Sequence, residues 1–230
     1  MKKKYHVFKI NIGIMNIVSI VIFILCVAFT YLLFPNMIKE ILVYWGTGVN
    51  YIIVLPIMLF YFILHEILHA VGYIIHGAKA KKITFGAEME KGVFYCLCKD
   101  EITRKNILLS LMYPLFFIGI LTYIIGIIFD LPLLILLSIC NIVGATGDIL
   151  YFIFIIRLDK NTKFSEMDDG TSFALISDKD LSKYSHFGLD YVGVVDEIPR
   201  KDFKRIKVSK QSWIILIICL IILSILLFIS

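Results

Sequence analysis

Over long distances this chain lacks charge. The stretches 12–34, 106–129 and 212–229 contain no Asp, Glu, Lys, Arg or His. Runs of this kind approach or exceed the roughly 20 residues that cross about 30 Å of hydrocarbon. Two further apolar runs, 50–76 and 131–156, hold only a few ionisable groups. With 60% hydrophobic residues and a mean hydropathy of +0.90, the composition excludes an ordinary soluble domain. The expected fold class is an all-α polytopic membrane protein with five transmembrane helices. A cleaved signal peptide is excluded for the first run, which is too long and ends in "YLLFPNM" without a small-x-small site.

Cysteine is also scarce, with five in the chain. Cys26, Cys140 and Cys219 lie in the apolar runs, where a small soft hydrophobe is ordinary. Cys96 and Cys98 form a C-x-C without a second pair, so neither a disulfide framework nor a zinc ribbon follows. No heptad, internal repeat or low-complexity tract is present. Acidic residues are fewer than basic ones, and the formal net charge is +5. Of the 23 Lys and Arg, 22 fall in the N-terminal tail, the loop 77–105 and the segment 157–211, and only Lys39 falls elsewhere. The positive-inside rule predicts a multi-pass cell-membrane protein with a cytoplasmic N-terminus and the C-terminal Ser230 outside. These loops face water and anionic lipid, so the bilayer is the partner and nucleic acid is not.

Four regions follow: 1–49, a transmembrane helix with an outer connector; 50–157, a three-helix membrane core; 158–211, a cytoplasmic segment; and 212–230, the last helix. Within the core, "KKITFGA" and "GVFYCLC" flank "EMEKG". β-branched and aromatic residues on both sides of a turn predict a small cytoplasmic β-hairpin, about 79–100, between the second and third transmembrane helices. The segment 158–211 is polar, with short apolar patches "SFALIS" and "LDYVGVV", and reads as a marginally ordered appendage.

Ionisable side chains inside a span are costly and usually functional. Here they are His65, Glu66, His69, His76 near one end, and Asp148. His65 and His69 are four residues apart, so both imidazoles leave one helical face and can hold one tetrahedral metal. Glu66 is then placed to act as general base on water. His76 is seven residues beyond His69, about 10 Å along an unbroken helix, and cannot share a metal bound at about 2 Å. A third ligand is needed. Asp148 is the candidate, because His69 and Asp148 lie at similar depths from the cytoplasmic face. Two imidazoles, one aspartate and a hydroxide also neutralise Zn²⁺. Gly144 and Gly147 make local unwinding beside Asp148 feasible. Asn141, two turns outward, is a candidate contact to substrate or an oxyanion; a packing or interhelical hydrogen bond is the alternative.

H-E-x-x-H in one span, an Asn-to-Asp motif in a later span and a hairpin between them resemble the site-2 protease group of intramembrane zinc metalloproteases. More specifically, "HEILHA" followed by "NIVGATGD" resembles the bacterial DUF3267 family of zincin peptidases over about residues 50–157. The resemblance implies zinc as cofactor, Asp148 as third ligand and a hairpin that guides substrate. Site-2 proteases carry Leu-Asp-Gly after Asn-Pro; here Gly147 precedes and Ile149 follows Asp148, and no proline follows Asn141.

The function expected is an intramembrane zinc endopeptidase acting on a membrane protein or peptide. His65, His69 and Asp148 bind zinc and Glu66 moves the proton. A membrane metal-binding or metal-transport protein using the same ligands is the alternative. Substrate, trigger and oligomeric state are not legible.

Overall fold

A computed structural model describes residues 4–46, 49–88, 93–177, 179–184 and 187–198. Among these residues the chain runs β1 (Tyr5–Ile10), α1 (Ile12–Leu33), α2 (Pro35–Gly46), α3 (Val49–Ile75), β2 (Ile83–Glu88), β3 (Val93–Cys98) and β4 (Ile102–Thr103). It continues with α4 (Arg104–Ile128), α5 (Pro132–Gly144), α6 (Thr146–Ile155), β5 (Lys163–Glu166), β6 (Ser172–Ile176) and β7 (Leu189–Val195).

Asn11 starts α1 by accepting the Ile14 amide on its side-chain oxygen at 3.2 Å. Phe34 ends it, because a residue before proline is driven out of the helical region. The flanks of α1 display apolar side chains outward, with Ile24 57% and Leu32 77% exposed, as a lipid-facing helix does. Among the described residues, three helical stretches are long and apolar enough to cross a membrane: Ile12–Leu33, Val54–Ile75 and Arg104–Ile128. A fourth crossing exists if α5 and α6 count as one broken span; they bend by 46° at Ala145. A tight turn with Asp130 in the left-handed region, φ 54°, joins α4 to α5.

The β-structure overturns the all-α, five-span expectation. β2 and β3 form the expected hairpin ladder, with Phe85 opposite Cys96 and Ala87 opposite Phe94. A second, five-stranded antiparallel sheet has the order β4-β5-β6-β1-β7. Its strands come from the basic N-terminal tail (β1), from the end of the loop 77–105 (β4) and from the segment read as a marginal appendage, whose patches "SFALIS" and "LDYVGVV" supply β6 and β7. The physical reason is long-range pairing. Tyr5 sits opposite both Ile176 and Val195, and no local periodicity announces such a partner. The expected span 212–229 lies outside the described residues.

The sheet is not a separate body from the helices. Phe8 of β1, Phe164 of β5 and Phe173 of β6 pack with Tyr151 and Phe154 of α6, with ring centroids 4.7 Å apart for Tyr151–Phe173 and 4.8 Å for Phe8–Phe154. Arg104, at the β4–α4 junction, donates from Nε to the Ile155 carbonyl at 3.0 Å and also donates to Ile156. A cation there complements the C-terminus of α6. Each of α1, α3, α4 and α6 therefore has one end tied to a strand.

Candidate metal centre

α3 carries His65, Glu66 and His69, and the buried imidazoles leave the same face. The break between α5 and α6 brings in the third group. Ala145 has φ −75° and ψ 8°, between the flanking glycines Gly144 and Gly147, and α6 restarts at Thr146 with Asp148 in its first turn. Asp148 Oδ2 lies 3.1 Å from His65 Nε2 and 3.2 Å from His69 Nε2. The two Nε2 atoms are 3.1 Å apart.

The other ring nitrogens decide the protonation. His65 Nδ1 faces the side-chain oxygen of Asn141 at 2.8 Å, and His69 Nδ1 faces the Ser110 carbonyl at 3.1 Å. Both partners only accept, so each Nδ1 carries a proton and each Nε2 of a neutral imidazole is left to offer its lone pair to a metal. The two Nε2 atoms and the Asp148 oxygen then converge on one point, as the donors of a shared cation do. Ligand atoms around tetrahedral zinc, with bonds of about 2.0–2.1 Å, stand about 3.3 Å apart. The donor set and its spacing fit zinc. Among the described residues, His65, His69 and Asp148 form the one group arranged to hold a metal ion.

Both supporting acceptors trace to one residue. In α4, the amide of residue 114 would occupy the Ser110 carbonyl, but Pro114 has none, and that carbonyl turns to His69. After Pro114 the helix widens to a π-turn over Leu115–Ile120, where Leu121 bonds back five residues to Phe116. The Pro114 carbonyl accepts the Asn141 side-chain NH₂ at 3.2 Å. That contact orients the Asn141 oxygen toward His65. Asn141 is 2% exposed, and its amide serves the imidazole rather than the cavity. Ser110 and Pro114 were not evident as site residues in sequence, although a proline inside an apolar span is a readable signal of freed carbonyls.

A cavity of about 410 Å³ opens beside the triad. Glu66 lines it, and its carboxylate accepts the Cys96 amide of β3. Met15 and Ser19 of α1 form one wall, and Tyr73 and Glu166 another. Tyr95 sits between hairpin and sheet: a Cβ on Gly86 would come within 2.5 Å of its ring, and one on Gly170, at φ +66°, within 2.6 Å. Cys96 and Cys98 are buried free thiols, and burial pushes the Cys96 thiol up, so it stays protonated and is no rival ligand. His76 is outside the triad. Its ring meets Tyr113 edge-on at 5.9 Å, and its backbone carbonyl accepts the Asn106 amide.

A histidine pair at i and i+4 with an intervening glutamate and a remote carboxylate is the site of a zinc peptidase of the zincin class. Residues 58–163 match the model of the family DUF3267, described as "Putative zincin peptidase". The matched region contains every member of the triad, Glu66, the hairpin and Pro114, and ends at the first residue of β5. That description points to the zincins, a class of zinc metallopeptidases, over the matched residues. No curated protein and no solved structure matches the chain.

Proposed function

We propose that the chain is an intramembrane zinc endopeptidase of the site-2 protease kind, cleaving membrane proteins or peptides in or near their spanning segments. The observation that carries this reading is the convergence of His65 Nε2, His69 Nε2 and Asp148 Oδ2 beside Glu66, inside helices apolar enough to span a bilayer. Zinc held by these atoms supplies Lewis acidity to a water and to a peptide carbonyl. His65 and His69 keep their Nδ1 protons on Asn141 and Ser110, so their lone pairs stay on the cavity side. The Glu66 carboxylate takes the proton of the attacking water and delivers it to the leaving nitrogen. The Cys96 amide keeps that carboxylate aimed. A substrate helix must unwind to present its backbone, and β3 offers an edge to the extended segment. In this reading the N-terminus and the strand-bearing ends of the helices face the cytoplasm.

The test is purified full-length protein with Glu66→Gln beside wild type. Near-stoichiometric zinc in both, with hydrolysis of membrane-derived peptides only in wild type, is expected. Zinc in both and hydrolysis in neither would favour a metal-binding or metal-transport protein. Membrane proteomics of cells carrying either form then identifies substrates, as proteins that persist uncleaved with Glu66→Gln.

A further inference from the structure

Glu166 lies just beyond the family match and belongs to the sheet, yet its carboxylate lines the cavity beside the triad. It is 8% exposed and has partners on two other elements. Oε1 accepts the Tyr73 hydroxyl of α3 at 3.0 Å, and Oε2 accepts the Cys98 amide of β3.

Both partners lead to the proposed machinery. Tyr73 is one turn beyond His69, and the two rings lie 20° from parallel with centroids 6.3 Å apart. Cys98 is two residues from Cys96, so their amides leave the strand in the same direction. The Cys96 amide goes to Glu66, while the opposite edge of β3 is paired with β2. Lys99, of the alternate set, donates to the Lys82 carbonyl on the β2 side at 3.0 Å. The cavity-facing edge of β3 is therefore held by two carboxylates, standing where the carbonyls of a neighbouring strand would be.

We infer that Glu166 is a positioning residue for hydrolysis: it fixes β3 against α3 so that the Cys96 amide meets Glu66, and it holds Tyr73 against His69. The inference rests on the peptidase reading. It gives the five-stranded sheet a role at the site. It also predicts where substrate pairs. With the Cys96 and Cys98 donors engaged, Phe94 supplies the next outward amide.

The test uses full-length protein carrying Glu166→Ala, Glu166→Gln, Tyr73→Phe or both Glu166→Gln and Tyr73→Phe. Amide exchange over residues 93–98 is read on zinc-free protein, and zinc content, kcat and KM on loaded protein. Loss of the hydrogen bond to Glu166 should accelerate exchange at Cys96 and Cys98 roughly tenfold in Glu166→Ala. Zinc content should hold, and kcat should fall by a similar factor while KM changes less than about twofold. Gln, which still accepts on one oxygen, should recover part of both losses, and the double variant should be non-additive. Unaltered exchange in Glu166→Ala overturns the positioning role. So does a kcat loss that tracks zinc loss and melting, which would mark a purely structural residue. Wild-type protein that binds zinc and hydrolyses nothing overturns the peptidase reading and the role in hydrolysis with it, whatever the exchange shows.

Discussion

The Pro114 carbonyl accepts the side-chain amide of Asn141 at 3.2 Å, and the same proline leaves the Ser110 carbonyl free for His69. One imino acid in α4 thus orients both imidazoles of α3, each through a different intermediary. Pro114→Ala restores an amide that competes for the Ser110 carbonyl. Partners that orient a ligand histidine typically affect metal affinity by about 10–100-fold, and weakening toward the lower end is expected here. Competition against a chelator of known affinity reads it directly. Wild-type affinity in the alanine variant would show that the carbonyls are held in place without the proline.

The ligands separate by metal content. Asp148→Ala removes one of three donors, and both zinc occupancy and hydrolysis should collapse. His76→Ala should change neither, because its ring packs on Tyr113 away from the triad. Zinc retained in Asp148→Ala but lost in His76→Ala would falsify the assignment.

Phe94→Pro tests the strand edge. Proline removes the backbone donor that remains outward on β3 beyond Cys96. Hydrolysis should be impaired and bound zinc unchanged. Full activity would place substrate on another edge.

Burial pushes the Glu166 carboxyl up to about 7 from its ordinary 4.5, although the Cys98 amide, His69 and the Tyr73 hydroxyl pull the other way. Between those values the folded protein keeps a proton that the unfolded chain has released. The stabilisation from this group is therefore full below 4.5 and lost as pH rises through about 7. Glu166→Gln cannot ionise. The melting temperature of the zinc-free variant relative to wild type should climb between roughly pH 5 and 8. A flat difference over that range would mean the carboxyl titrates as an exposed one does.

Orientation is tested with reporters. One inserted at Asp130, in the turn between α4 and α5, should report the outside. Another in the 159–161 turn between α6 and β5 should report the cytoplasm. Both on one side would contradict the distribution of Lys and Arg.

What could be read without coordinates was local or additive. H-E-x-x-H depends only on helical spacing. Apolar length marks crossings, and two residues at equal depth from one face, His69 and Asp148, can be matched by counting. Even the break that aims Asp148 was visible as Gly144 and Gly147, because glycines act where they stand. Only the tertiary structure decided that β1 joins β6 and β7, so the five-span all-α expectation failed there. Strand pairing is settled by partners more than 160 residues away, through side-chain fit rather than local period. For the same reason Glu166 was invisible as a site residue. Nothing in "KFSE" signals a cavity, and its carboxylate matters only because folding sets β5 against β3 and α3.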